Sequence, residues 1–393
     1  MICRARPKYL VQEDFESAPV ERPDFFASTL FFNSGRAGLK FFLEEYKMHL
    51  GKEDLNVALS SFNCDSLIQG ILQSGSKAVL LDVKRSDMSI SLPSLKRETA
   101  TLDALILVHY QGIPNEEYEE IAAHCNANGI ALIEDLSHAH GSSRNGVVLG
   151  EKAAVCLHSM AFDKPFTALY GGAVTVGNVE GSLRARLIDS FERLPVVPDD
   201  LAKKELILLR SMMHLTAPQT FLPGLDRTGA IAFFHSLGFS DARMVELYHG
   251  SSSFRAGWKL IAKLTSRLKS ERITVCRQHG EKRQLIYKQF SRWQSNTGAV
   301  ARLEAWMSSQ GFEVPVHEGS KIEWNRYALI DPSGDLKRRL GEKGWQVGNF
   351  NWPVTLFEKY QSNPNVFVNQ ALNESEYVAK NVLNIPVWNT EFD

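Results

Sequence analysis

Three stretches of this chain carry side chains whose types and spacing could do chemistry. In Phe31-Phe32-Asn33-Ser34-Gly35-Arg36-Ala37-Gly38-Leu39, Ser34 and Gly35 stand just before an amphipathic run. A hydroxyl and free backbone N–H groups then converge at a helix N-terminus, the arrangement that cradles a phosphate. Taken alone, a serine in that place is more often only a helix cap. In Ile130-Ala131-Leu132-Ile133-Glu134-Asp135-Leu136-Ser137-His138-Ala139-His140-Gly141, an apolar run ends in two acids, and two histidines follow. Acids at the end of a buried strand are costly unless they are paired or used. A capping Asp with solvated histidines is the plainer alternative. Metal ligation by His138 and His140 lacks further acids or cysteines at ligand spacing in this segment, so no metal is expected. In the third stretch, Val155–Val174, a strand-like run enters a loop with one lysine, Lys164, and returns through Gly171-Gly172. Most lysines are surface charges, but one in a crowded site beside a phosphate cup can lose its proton and attack a carbonyl as a Schiff-base amine.

Together the three stretches hold the parts needed to bind pyridoxal 5'-phosphate. The cup takes the phosphate, Asp135 the ring nitrogen and Lys164 the aldehyde. An ionised Asp keeps the pyridine nitrogen protonated, and a protonated ring is what lets the cofactor act as an electron sink for a carbanion.

The elements that must position these residues are legible as short apolar runs alternating with helix-like stretches. The runs are Asn56–Leu59, Ala78–Val83, Ala104–His109, Ala131–Ile133, Ala154–His158 and Ala173–Val176; Arg36–Leu50, Asp65–Ser74, Glu116–Asn128 and Gly181–Glu192 read as helices between them. Such uniformly apolar strands are buried on both faces, which means a parallel α/β sheet with helical crossovers and a site at the carboxyl ends of its strands. After Pro195 the rhythm changes, and about 195–250 reads as an atypical insertion with no clear strand, carrying Phe221, Phe233, Phe234 and Phe239. Ser251–Phe290 suggests long amphipathic helices. Trp324–Ile330, Lys337–Lys343, Trp345–Phe350 and Glu376–Leu383 then read as strand, helix, strand and a last helix. The expected organisation is a large cofactor-binding domain over residues 1–250, with a mainly parallel sheet sandwiched by helices, and a smaller C-terminal α+β domain over 251–393. That agrees with 393 residues at about 100–200 per domain.

Composition narrows the partners. With 44 Lys+Arg against 45 Asp+Glu the net charge is -1, so no general field attracts nucleic acid or an anionic membrane, and anions must be held locally. No run approaches the ~18 uninterrupted apolar residues of a membrane span. The five cysteines, Cys3, Cys64, Cys125, Cys156 and Cys276, are scattered without a C-x-x-C pair, which suits free thiols in a reducing compartment. The N-terminal stretch has no apolar core of a secretory signal, and a cytoplasmic location is expected.

In order and spacing the chain resembles the DegT/StrS-like aminotransferases of the fold-type-I pyridoxal-phosphate enzymes. The resemblance is carried by Ser34-Gly35-Arg36-Ala37-Gly38-Leu39, Ser60-Ser61-Phe62-Asn63-Cys64 with Gly75, Val79-Leu80-Leu81-Asp82-Val83, Val108-His109-Tyr110-Gln111-Gly112, Ile133-Glu134-Asp135, Ser159 with Lys164, and Gly171-Gly172. It implies that Lys164 forms the Schiff base with the cofactor and later shuttles the proton between substrate carbon and cofactor carbon. Asp135 would pair with the pyridine nitrogen, His138 would stand near the ring hydroxyl where the family usually has Gln, and Ser159 with the Ser34-Gly35-Arg36 turn would bind the phosphate. Cys64 falls where many members stack an aromatic ring on the cofactor, so stacking would be weaker here or supplied by a neighbour such as Phe62; the alternative for Cys64 is a small buried thiol. A subset of the family replaces the lysine with histidine and runs dehydration; this chain keeps the lysine. The implied activity is transfer of an amino group from an amino donor, glutamate, to a keto acceptor, by default a nucleotide-linked keto-sugar, in a homodimer with shared sites. A non-sugar ketone or aldehyde as acceptor, a pyridoxal-phosphate lyase or decarboxylase, and a catalytically silent cofactor-binding protein are the alternatives. The family's Gly-x-Asn-x-Arg-Met stretch, which reaches the partner's site, has only Ser253-Phe254-Arg255 as a counterpart, so Arg255 is the candidate contact to a substrate phosphate or carboxylate, against the plainer reading of a surface arginine.

Overall fold

The computed structural model describes residues 10–15, 17–216, 274–293, 297–343, 345, 347–349 and 352–387. In chain order the first half runs β1 (Thr29–Phe32), α1 (Gly35–Leu50), β2 (Asn56–Ser60), α2 (Asp65–Gln73), β3 (Lys77–Leu81), α3 (Leu92–Glu98), β4 (Ala104–Val108), α4 (Tyr118–Ala127), β5 (Ala131–Asp135), the short β6 (Ser143–Arg144) and β7 (Val147–Val148), β8 (Val155–Ser159), β9 (Gly172–Val176) and α5 (Gly181–Glu192). The expected strands and helices of this half are all present, with ends moved by at most two residues. Three elements outside that reading, β1, α3 and the short β6–β7 pair, complete it.

Among the described residues the main sheet has eight strands in the order β1-β9-β8-β5-β4-β2-β3-β12, where β12 is the two-residue strand Val366–Phe367 from late in the chain. Alternate residues of each strand point to opposite faces, and both faces are apolar. Val57, Leu59, Ile106, Ile133 and Leu157 pack with Leu39, Phe42, Ile68 and Leu187 on one side. Ala58, Val79, Leu105, Leu107 and Leu132 pack with Leu95, Tyr118 and Ile121 on the other. This double burial is why the strands read as uninterrupted apolar runs.

The pairings from β12 through β3, β2, β4 and β5 to β8 are parallel, but β9 runs antiparallel to both β8 and β1. The sixth apolar run is thus the antiparallel member of the mainly parallel sheet. An antiparallel return needs no crossover helix, so residues 160–171, which carry Lys164, stay as a loop above the strand ends.

The region beyond Pro195 corrects the sequence reading in several places. Asp199–Thr216 is a helix, α6, where a mixed stretch was expected; Asp199 and Asp200 lie in its first turn, where carboxylates suit the helix dipole, and Ala202, Leu208 and Leu209 are buried. Residues 217–273, which include most of the atypical stretch and Arg255, lie outside the described residues. Of the amphipathic helices expected up to Phe290, Gly280–Ser291 is described, and it packs Ile286 and Tyr287 against Phe26 and Phe31. A helix at Thr297–Ser309 follows, then the short β10 (Ser320–Lys321), β11 (Tyr327–Ile330) and a helix at Asp335–Glu342. The described residues of Trp345–Phe350 form no strand, only a single bridge between Gly348 and Asn384. The reason is local: the Asn349 amide bonds the carbonyls of Trp352 and Ala379 and turns the chain. The last helix is Asn373–Asn381, and Val382–Ile385 forms β13, antiparallel to β11, where a helix was expected to run on to Leu383. Val382 adopts extended backbone at the helix end, as a β-branched residue favours.

Candidate active site

The strand order reverses between β2 and β4, and the crevice outside the carboxyl ends of the strands there is where open α/β sheets bind ligands. A cavity of about 480 Å³ lies over the strand ends, lined among others by Ser34, Gly35, Arg36, Cys64, Asp135, His138, Ser159 and Lys164. The described site candidates therefore meet in one place; Arg255 falls outside the described residues.

At one end of the cavity, Ser34 caps α1. Its Oγ accepts from the Ala37 N–H at 3.1 Å, which leaves its own O–H free to donate. Ser159, at the end of β8, is a close neighbour: a Cβ on Gly35 would lie 3.8 Å from the Ser159 Cβ. The Arg36 guanidinium turns to the Gln69 side chain, so what Arg36 offers the cup is its backbone N–H at the start of the helix. Gly172 of β9 presses against this turn; a Cβ there would meet Gly35 N at 2.1 Å.

The two acids divide between the faces of β5, as strand alternation requires. Glu134 is fully buried and accepts from Tyr118 Oη at 2.8 Å, from the Gly150 N–H at 2.7 Å and faces His109 Nε2 at 3.3 Å. The Asn115 N–H donates to His109 Nδ1, so His109 carries its proton on Nε2, toward Glu134. Asp135 lies on the opposite face and lines the cavity, with Oδ1 accepting from the Ser137 N–H at 2.9 Å.

The two histidines divide in the same way. His138 Nε2 lies 2.7 Å from Lys164 Nζ. Burial, and after it the Lys164 charge, hold His138 well below the usual imidazole range, so the ring is neutral and Lys164 donates to an unprotonated Nε2. His140 turns away to His158, Nε2 to Nδ1 at 3.0 Å, and His158 Nε2 meets Thr175 Oγ1 at 2.9 Å. The partners of the two rings are thus a lysine for His138 and a second histidine for His140. Asp163 lies 3.4 Å from Lys164 Nζ. Burial works to raise its carboxyl, but the charges of Lys164 and Arg326 outweigh it and hold Asp163 down at about 2.

Cys64 lines the cavity at the N-cap of α2. Phe62, the neighbour offered for stacking, does not line it: its ring is fully buried against Tyr110 and Trp352 at centroid distances of 5.0 and 5.1 Å. Sequence reasoning missed Trp352, which lines the cavity, Asp163, and the buried Arg326, whose charge reaches Asp163, His138 and Tyr110. Trp352 and Arg326 come from distant parts of the chain. Only Asp163, adjacent to the lysine, carried a local signal.

A sequence model of the DegT/DnrJ/EryC1/StrS aminotransferase family matches residues 26–196. Over 158 residues the chain is 32% identical to a dTDP-4-dehydro-2,3,6-trideoxy-D-glucose 4-aminotransferase of Saccharopolyspora spinosa, a match that covers 40% of this chain and 40% of that relative. Among solved structures, a sugar aminotransferase of Micromonospora echinospora superposes with a TM-score of 0.58 at 16% identity, covering 97% of this chain and 92% of its own. A GDP-4-keto-6-deoxy-D-mannose-3-dehydratase of Escherichia coli, solved with bound hydrated PLP, superposes at 0.59 and 15% identity over 92% of this chain and 84% of its own. The chain shares the fold of these proteins.

Proposed function

We propose, from the match of residues 26–196 to the DegT/DnrJ/EryC1/StrS aminotransferase family model, that this chain is a pyridoxal-phosphate-dependent aminotransferase that moves an amino group from glutamate to a nucleotide-linked keto-sugar. The observation that carries the reading is the Lys164–His138 contact in a cavity that also holds Asp135 and the α1 cup.

The donor set suits the cofactor. Ser34 keeps an O–H to give, Ser159 adds a second hydroxyl, and the first N–H groups of α1 point out of the helix, which together suit a phosphate. Asp135 would face the ring nitrogen, His138 the ring hydroxyl and Lys164 the aldehyde, with Cys64 at the edge of the site. When bound, pyridoxal phosphate supplies the electron sink for a carbanion. The protein's own part is electrostatic and positional. Asp135 holds a negative charge toward the ring nitrogen, backed by the Ser137 N–H. Lys164 Nζ rests against His138 Nε2, which keeps the amine aimed into the cavity and gives its proton an acceptor. Buried walls from Leu157, Leu169 and Trp352 limit water.

The same reading takes in a division near residue 250 and a cytoplasmic homodimer with shared sites, in which Arg255 would contact a substrate phosphate or carboxylate. Four described cysteines, Cys64, Cys125, Cys156 and Cys276, are free, as suits a reducing compartment. Among the described residues no helix is long and apolar enough to cross a membrane.

The test is to load purified protein with pyridoxal phosphate, treat it with borohydride and map the labelled peptide. Labelling at Lys164, lost in Lys164→Ala, is expected, and glutamate should convert the bound cofactor to its amine form, which a panel of keto-sugar nucleotides then returns. Wild-type protein without borohydride-trapped cofactor at Lys164 would overturn the reading.

A further inference from the structure

Among the described residues that line the cavity, Trp352 alone comes from beyond Gly171. It is 7% exposed and tightly placed. Its N–H donates to Asn349 Oδ1 at 3.0 Å, and its carbonyl accepts from Asn349 Nδ2, which also bonds the Ala379 carbonyl at the last helix. The indole packs on Tyr110 with centroids 4.8 Å apart, and its face lies over the His138 imidazole at 5.8 Å with 24° between the planes. Tyr110, in contact with the indole, reaches His138 from the same side, steeply tilted at 6.2 Å and 72°. The imidazole is thus backed on one side by a contacting pair of aromatic rings while its Nε2 meets Lys164 Nζ. A ring has few staggered rotamers, and one of them is selected when neighbours fill the space of the rest.

We propose that Trp352 is a positioning residue: by stacking on the His138 imidazole it selects the orientation in which Nε2 meets the Lys164 amine, so that docking of the C-terminal elements onto the sheet sets how the lysine is held. The inference rests on the reading of Lys164 as the cofactor lysine. Tyr110 meets His138 steeply tilted, so among the described residues the stacked contact comes from Trp352. The stacked support of His138 is therefore in place only when Trp352, tied to Asn349, is seated.

The test uses full-length protein loaded with pyridoxal phosphate, and reads the midpoint of the pH titration of the visible absorbance at Lys164. The charged and titratable groups around His138 are Lys164, Asp163, Arg326 and His140, and the Trp352 variants retain all of them. Trp352→Ala should move the midpoint downward by about half to one pH unit, a roughly threefold to tenfold change in the protonation equilibrium, because a neutral acceptor lost from a protonated nitrogen favours its deprotonated form. Trp352→Phe, which restores a flat ring, should recover most of the shift. In a His138→Gln background, Trp352→Ala should add no further shift. If Trp352→Ala does not fold, Trp352→Leu keeps apolar bulk without the flat ring and carries the same expectation. An unmoved midpoint in the folded variant, or an equal shift with and without His138, overturns the role of Trp352 while wild-type trapping at Lys164 still stands. Absence of trapping in wild type removes the functional reading and this inference together.

Discussion

His158 stands one residue before Ser159 on β8, at 1% exposure, and acidification should expose its burial as a loss of stability. Its Nδ1 meets His140 Nε2 at 3.0 Å, the two rings stack with centroids 5.1 Å apart, and its Nε2 meets Thr175 Oγ1, which in turn meets Thr29 Oγ1 at 2.7 Å. Among the described residues no carboxylate joins this row, and burial is the cause that acts on His158. Burial lowers His158 from 6.5 to about 4. The sign follows directly. Below 6.5 the unfolded chain takes up the proton and the folded one does not until about 4, so stability is full above 6.5 and falls as pH drops through that window. At about 1.4 kcal/mol per pH unit, the loss attributable to this one group is about 3 kcal/mol by pH 4. Asp87, whose carboxyl burial raises to about 6, works in the opposite direction and gains stability as pH falls, so the wild-type profile alone would conceal the effect. The measurement is therefore a difference. Urea unfolding of wild type and His158→Gln is followed across pH 4 to 7, and Asp87 contributes equally to both. The variant should be less stable at pH 7 by about 1–3 kcal/mol, because His140 Nε2 loses its partner in the interior. Between pH 6.5 and 4 it should lose about 3 kcal/mol less than wild type. His140 retains its own burial, the largest cause of its lowering, in both proteins. Parallel profiles would refute the reasoning, since they would mean that the buried imidazole exchanges protons as freely as an exposed one.

Two further substitutions probe the cup and the Asp135 carboxylate. Gly172→Ala places a methyl 2.1 Å from Gly35 N, with only backbone atoms to give way; it should cost about 1–3 kcal/mol in unfolding and weaken cofactor retention in dialysis, while Gly181→Ala, where a Cβ meets nothing within 4 Å, changes neither. Asp135→Asn removes the carboxylate charge while keeping an acceptor for the Ser137 N–H, so the protein should still load cofactor but transfer amino groups about a hundredfold or more slowly in single-turnover measurements, as expected for one preorganised charge.

What the sequence made legible and what it hid have separate physical origins. The anchors Ser34, Asp135 and Ser159 each sit where an apolar strand ends or a helix begins, and Lys164 lies in the loop that follows such a strand; these boundaries are local properties of the chain. The same locality made the six apolar runs readable. It failed where distant partners decide. Val382 has a helix before it and β11 beside it, and pairing with β11 wins. Phe62 was offered for stacking because it is two residues from Cys64, yet Tyr110 and Trp352 bury its ring in the core. Neither partner's position can be found from the residues around Phe62.

The division of labour at the site follows from that difference. Charge placement comes from the sheet: Asp135, His138 and Lys164 descend from adjacent strands β5 and β8, whose register pairs Asp135 with Leu157 and fixes their spacing. Glu134 is satisfied on the far face by Tyr118, His109 and the Gly150 N–H, so it adds no second carboxylate to the cavity, and Asp135 stands as the acid on that side of β5. Side-chain orientation, by contrast, comes partly from beyond Gly171, because the indole that lies over His138 is held by Asn349 and, through it, by the last helix. A substitution confined to the sheet should therefore alter which charges the cavity holds, whereas one at Asn349 should leave every charge in place and change only how the His138 ring is turned toward Lys164.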